Sequence, residues 1–257
     1  MSYKATLNIL SPSSLKSKQE GKEILDFLVT AYPELAPEKY GYYEPIKLDF
    51  DIDNIEGALQ GWGQTFLWKR KKPKIDGSVW SSYRLLPVHG WVVLELEING
   101  SNHGRMSQFL KDLASLLKAH FAFMHILNLT EVSQTRNNGS IGRRNPAKEE
   151  YSLGVTTHQL RKYVPNLYWA TVFGEPYVNL VGRDVMLSSP ASVVEELPYG
   201  GIYIQLSENI NDLQTDYEKV NRVRQAVKDH FGYNLFFEPD AFEDQVYDVP
   251  DFHLGEG

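Results

Sequence analysis

The run Trp91-Val92-Val93-Leu94-Glu95-Leu96-Glu97-Ile98 sets the fold class. Val92, Leu94, Leu96 and Ile98 fall on one side of an extended chain, with Glu95 and Glu97 on the other. A period of two marks a strand with one buried face. The following stretch changes period. Met106, Phe109, Leu110, Leu113, Leu116, Leu117, Phe121 and Met124 recur at intervals of three and four, which predicts a helix over 105–124. Strands and helices in this succession predict an α+β fold, mainly an antiparallel sheet with helices packed on one side.

Upstream, Ile24, Leu25, Phe27, Leu28 and Ala31 form a stripe that predicts a helix over 13–32, capped by Ser13 or Ser14 and ended by Pro33 and Pro37. Ile46–Phe50 alternates like a strand. Asp53 reads as the cap of a short helix reaching Leu59. Thr65–Arg70 and Val79–Leu85 read as strands, joined by a basic run (Lys69, Arg70, Lys71, Lys72, Lys74) that suits a solvated hairpin tip.

Downstream, the polar stretch Ser133–Glu149 exceeds the usual loop length and is expected to be a mobile or functional loop. Beyond it the pattern predicts a helix at Thr157–Tyr163, a strand at Leu167–Phe173, a short element at Tyr177–Val181, strands at Val193–Leu197 and Ile202–Leu206, and a helix at Asp216–Phe231.

Moving the sequence by 110 residues sets Val92, Leu94 and Leu96 on Ile202, Ile204 and Leu206, and Lys118–Phe123 on Lys228–Tyr233. This reads as two pseudo-repeated strand–strand–helix units, about 80–125 and 190–235, inside one α+β domain spanning 1–257.

Composition excludes several classes. The 257 residues include no cysteine, which removes disulfides, thiolate nucleophiles and cysteine-ligated metals. No stretch reaches the length of a membrane helix, and Met1–Leu10 lacks the pattern of a secretory signal, so a cytoplasmic, membrane-free protein is expected. The net charge is −7. Glu238, Asp240, Glu243, Asp244, Asp248, Asp251 and Glu256 account for all of it, in a 238–257 segment without Lys or Arg that reads as a solvated acidic tail. Nucleic-acid binding is disfavoured, because phosphate neutralisation needs a positive face.

Catalytic signatures are missing: no glycine-rich phosphate loop, no Gly-x-Ser-x-Gly elbow, no His-Glu-x-x-His. His120 and His125 lie five apart, unsuited to one metal on a helix; His120 and His230 suit helix ends, where the dipole favours a cation. Asp49, Asp51 and Asp53 lack the glycine and closing glutamate of a calcium loop. Glu95 and Glu97 read as a solvent face. No cofactor and no metal are expected. Of Trp62, Trp68, Trp80, Trp91 and Trp169, with Tyr42, Tyr43, Tyr83, Tyr168, Tyr177 and Tyr199, most are expected in the core, but not all, since Trp91 alternates with the apolar face of its strand and Tyr168 with Trp169. Tyr and Trp on an exposed sheet face, ringed by acids, are typical interface anchors.

The run Pro165-Asn166-Leu167-Tyr168-Trp169-Ala170-Thr171-Val172-Phe173-Gly174-Glu175-Pro176-Tyr177, then Gly182-Arg183 and Leu197-Pro198-Tyr199-Gly200-Gly201, together with Pro33-Glu34-Leu35-Ala36-Pro37-Glu38-Lys39-Tyr40-Gly41, resembles bacterial polymorphic-toxin immunity proteins, nearest to the immunity protein 52 family. The resemblance implies a non-enzymatic inhibitor made beside a toxin that is delivered by type VI or contact-dependent secretion. Its partner would be that toxin, a restriction-endonuclease-like nuclease. On this reading Asp49, Asp51, Asp53 and Glu56, or the 238–256 acids, supply steering charge, and Trp62, Trp68 and Trp80 supply anchors. Two other readings are an enzyme with a dispersed site using His120, His125 or Glu95 and Glu97, and a secretion-system adaptor or chaperone.

Overall fold

The computed structural model describes residues 2–81, 87–99, 102–128, 130–132, 141–145, 150–238 and 245–254. The fold is α+β. Its strands are β1 (Ser2–Ser11), β2 (Lys39–Gly41), β3 (Leu48–Asp49), β4 (Thr65–Arg70), β5 (Ile75–Trp80), β6 (Gly90–Asn99), β7 (Phe121–Ile126), β8 (Ile141–Asn145), β9 (Glu150–Leu153), β10 (Ala170–Phe173), β11 (Val193–Glu196) and β12 (Ile202–Gln205). Helices are α1 (Lys18–Ala31), α2 (Glu56–Leu59), α3 (His103–Leu116), α4 (Thr157–Leu160), α5 (Glu175–Val181), α6 (Arg183–Leu187), α7 (Asp212–Thr215) and α8 (Tyr217–Phe231). Among the described residues, no helix is long and apolar enough to cross a membrane.

Ten strands form one antiparallel sheet in the order β11-β12-β10-β7-β1-β6-β5-β4-β2-β3, while β8 and β9 pair separately. Strands from both halves of the chain thus share one sheet. At its centre is β1, paired with β6 from Ser2↔Asn99 to Ser11↔Gly90 and with β7 from Ala5↔Ile126 to Leu10↔Phe121. Ala5, Leu7 and Ile9 alternate with Thr6 and Asn8, so the period of two is present in the sequence here as well.

Register assigns each side chain to a face. Ala5, Leu7, Ile9, Leu94, Met124, Trp68 and Phe66 share the front face, where α1 and α3 pack through Tyr32–Phe109 and Phe27–Phe109 ring contacts. Phe121, Phe123, His125, Thr171 and Phe173 share the back, covered by α5 through Tyr177 and by α8 through Phe231. Helices therefore lie on both faces, not on one side alone. The first-half helices take the front, and those of the second half cover the back of β7, β10 and β12.

Several boundaries differ from expectation. The helix predicted over 105–124 ends at Leu116; Lys118 adopts φ +46°, outside the helical region, and Phe121–Ile126 is a strand buried at every position. Apolar residues on both strand faces mimic a helical stripe. Helix α1 starts at Lys18, capped by Ser17, whose side chain and Glu20 form a capping box. Ser13 instead donates its hydroxyl to Glu20. Helix α2 has Ile55 at its N-cap with no side-chain bond, and Asp53 lies outside it. The strand expected at Val79–Leu85 is Ile75–Trp80, with 82–86 outside the described residues. Lys71, Lys72 and Lys74 do form the β4–β5 turn. Within the long polar stretch, Ile141–Asn145 is a strand paired with β9; 133–140 and 146–149 lie outside the described residues.

At the 110-residue shift both segments run strand, strand, helix: β5-β6-α3 and β11-β12 leading to α8. The matched hexapeptides occupy different places, since Lys118–Phe123 leaves α3 and enters β7 while Lys228–Phe231 is the last turn of α8.

The acidic terminal segment is tied to the body where it is described. Asn234 donates from its main chain to Asp248 Oδ2 (2.8 Å) and from Nδ2 to the Val246 carbonyl (2.6 Å), and its Oδ1 accepts from Gln245 (2.9 Å). Phe252 packs edge-on against Tyr177 (5.8 Å). Of the tail acids, Asp240, Glu243, Asp244 and Glu256 lie outside the described residues.

Candidate functional site

The predicted anchors separate into core and surface. Trp68 is 1% exposed and Trp62 is 7% exposed, so neither can contact a partner without unfolding its surroundings. Trp68 faces Gly77 across the β4–β5 pair, and a Cβ on Gly77 would collide with its indole. Trp62 donates Nε1–H to the Leu15 carbonyl (3.1 Å), stacks near Phe66 (5.0 Å) and fills the space left by Gly21. These two indoles are structural, which corrects the expectation. Only Trp80 of the three is exposed, at 42%. Tyr168 and Trp169 are buried as well, one stacked on Phe123 (3.8 Å), the other bonded through Nε1–H to Ser207 (2.9 Å).

The predicted acids are all exposed. Asp49, Asp51, Asp53 and Glu56 are exposed, along a segment that runs from the β2–β3 connection into α2. Three large apolar side chains of that segment are exposed among them: Tyr43 at 76%, Leu48 at 48% and Ile52 at 46%. Asp49 pairs with Lys39 (2.7 Å), Glu44 with Lys69 (3.3 Å) and Glu56 with Lys22 (3.7 Å). Asp51 and Asp53 meet no cation among the described residues, although Asp51 Oδ1 accepts from the Asp53 main chain (3.0 Å). Register places Asp49, Lys39, Lys69 and Asp76 in one row on the back of the sheet, with Trp80 further along that face. Front-facing Phe66, Trp68, Ile75 and Val79 are buried there, whereas back-facing Leu67, Ser78 and Trp80 are half-buried or exposed.

The residues of the enzyme reading do not form one site. Glu95 is buried, not solvent-facing, and pairs with Lys4 (3.1 Å); Glu97 is exposed. His125 belongs to a closed cluster. The Trp169 main-chain N–H donates to His125 Nδ1 (3.0 Å), which places the imidazole proton on Nε2, 2.7 Å from Glu131. Arg224 bonds the other Glu131 oxygen at 2.8 Å. Burial alone would raise the Glu131 pKa, but His125 and Arg224 outweigh it and hold the carboxyl at about 2. Asn128 Oδ1 accepts from the Glu131 main chain (2.8 Å), fixing the helical turn at 130–132. The cluster joins β7, that turn and α8; Arg224 also reaches Asn221 Oδ1 (3.2 Å), and its Nε is buried without a hydrogen-bond partner among the described residues.

His120 takes part in a different arrangement, with His89, which the sequence did not single out. The His89 main-chain N–H donates to Thr157 Oγ1 (3.0 Å), and that hydroxyl also meets His89 Nδ1 (2.9 Å). His89 Nε2 lies 3.2 Å from His120 Nδ1. Burial, with His120 and Arg161 adding to it, pushes His89 down to about 3; burial outweighs the opposing charge of Glu175 and brings His120 to about 4, so both imidazoles are neutral at pH 7. His120 is thus no helix-end cation. His230 does lie in the last turn of α8, 3.0 Å from the Val185 carbonyl. Among the described residues, no group of three His, Asp or Glu side chains converges as metal ligands. A scan against protein-family models finds no match, and no curated protein matches the chain significantly.

Proposed function

We propose that this chain is an immunity protein: a cytoplasmic, non-catalytic binder that neutralises a cognate secreted bacterial toxin by covering its active or substrate-binding surface. The observation that carries the reading is the 43–56 surface, where exposed Tyr43, Leu48 and Ile52 alternate with Glu44, Asp49, Asp51, Asp53 and Glu56. Exposed apolar side chains interspersed with acids suit a basic protein cleft, because charge speeds the encounter and apolar contact slows dissociation. The partner of matching chemistry is a nuclease, whose substrate groove must be positive to hold phosphates. The test is to co-express the chain with the product of the adjacent gene, co-purify the two and measure nuclease turnover. Stoichiometric complex formation with loss of turnover is expected. A chain that neither binds nor inhibits that product removes the reading.

A further inference from the structure

The His89–His120 pair ends on a cavity of about 580 Å³ at the edge of the sheet where β1 ends, β7 begins and the terminal segment crosses. Its volume lies within the range of small-ligand sites. His120 is 7% exposed and lines the cavity; its Nδ1 is taken by His89, and its Nε2 has no hydrogen-bond partner among the described residues.

Proton accounting assigns what Nε2 carries. Thr157 Oγ1 accepts the His89 main-chain N–H, and its own hydroxyl proton meets no acceptor except His89 Nδ1. Thr157 is 5% exposed, so an unspent hydroxyl proton there would be costly. The hydroxyl therefore donates to His89 Nδ1, which leaves the His89 proton on Nε2 to donate to His120 Nδ1. His120 then carries its proton on Nε2, as a donor facing the cavity.

The other walls narrow the ligand class. Pro12, Pro176 and Pro250 offer no main-chain N–H. Lys118, Glu175 and Asp251 give the rim one positive and two negative charges, beside the Asn179 amide and the His253 imidazole, so a free anion is disfavoured. Tyr199 spends its hydroxyl on the Ala119 carbonyl (2.9 Å). We infer that this cavity binds an uncharged amide, whose carbonyl oxygen accepts from His120 Nε2–H. The inference does not depend on the function proposed above.

The experiment uses the ¹⁵N-labelled full chain at pH 7, with long-range ¹H–¹⁵N correlation of the imidazoles. His120 should be protonated at Nε2 and bare at Nδ1. Titration with the blocked dipeptide N-acetyl-alanyl-alanine methylamide should shift Nε2 saturably, with a Kd on the order of 1 mM or tighter. N-methylacetamide forms the second arm. Saturation by it alone assigns a small amide as the source; saturation by the dipeptide assigns a peptide segment. Thr157→Val, which removes the hydroxyl, should weaken binding roughly tenfold, and Thr157→Ser should restore it. A His120 protonated at Nδ1, acetate binding as well as either amide, no saturable shift with either amide, or Thr157→Val binding like the wild type would each overturn the inference.

Discussion

Strands β4 and β5 can be set beside β7, β10 and β12 of the same sheet. In β4 up to Lys69 and in β5 every second residue is buried, and the intervening ones reach the half-buried or exposed back face. In β7, β10 and β12 every residue is buried. The first group carries α1 and α2 on one side; the second is enclosed between α3 in front and α5 and α8 behind. The enclosed half holds the buried charged and imidazole groups, and the open half holds the exposed aromatic and acidic ones. Division of labour follows: one end of the sheet secures the fold, the other is available to a partner.

The contrast can be broken from the enclosed side first. Arg224→Ala should cost about 3–5 kcal/mol, because it leaves Glu131 charged and buried with one cation fewer. Urea unfolding at pH 7 measures it. A loss under 1 kcal/mol would mean that the cluster is not a tie between elements.

Acid should act on the same half. The folded pKa values of His89 and His120, about 3 and about 4, lie below the ordinary 6.5, so their neutral burial stabilises the fold above that value. That contribution is lost as pH falls from 6.5 toward 4, at up to roughly 1.4 kcal/mol per pH unit per imidazole. Glu131, held at about 2 against an unfolded 4.5, adds a second loss as pH falls below 4.5. Unfolding midpoints measured from pH 8 to pH 3 should decline in two stages, and His89→Gln should flatten the first.

On the open half, Gly77→Ala should cost about 1–3 kcal/mol by forcing the Trp68 indole from its place, although its strand faces solvent on the back. Thermal unfolding checks it. The smallest effect on stability is expected for the joint change Asp49→Lys, Asp51→Lys, Asp53→Lys and Glu56→Lys: roughly 0.5 kcal/mol or less per exposed site. Circular dichroism melts would reveal a larger change.

The same contrast explains what the sequence conveys. Thr65–Arg70 and Trp91–Ile98 are legible because one buried face imposes alternation. Phe121–Ile126, packed on both faces, has no alternation and joins the α3 stripe until the Lys118 backbone is seen. Other signals are local and lie outside the expectations: Ser17-x-x-Glu20 marks the true start of α1, and Ala5, Leu7 and Ile9 mark β1. The acidic surface is legible because its residues are contiguous. His89 and His120 are not, since 31 positions separate them and only the sheet brings their rings together. Indoles posed the opposite difficulty: nothing local distinguishes Trp68, roofed over Gly77, from Trp80, which is exposed.

The most direct measurement is the association rate of the chain with the product of the adjacent gene, compared at low and high salt for the wild type and the fourfold lysine variant. The binder account predicts a low-salt rate at least about tenfold slower for the variant, with the difference shrinking as salt screens the charges. Equal low-salt rates for the two proteins would contradict it.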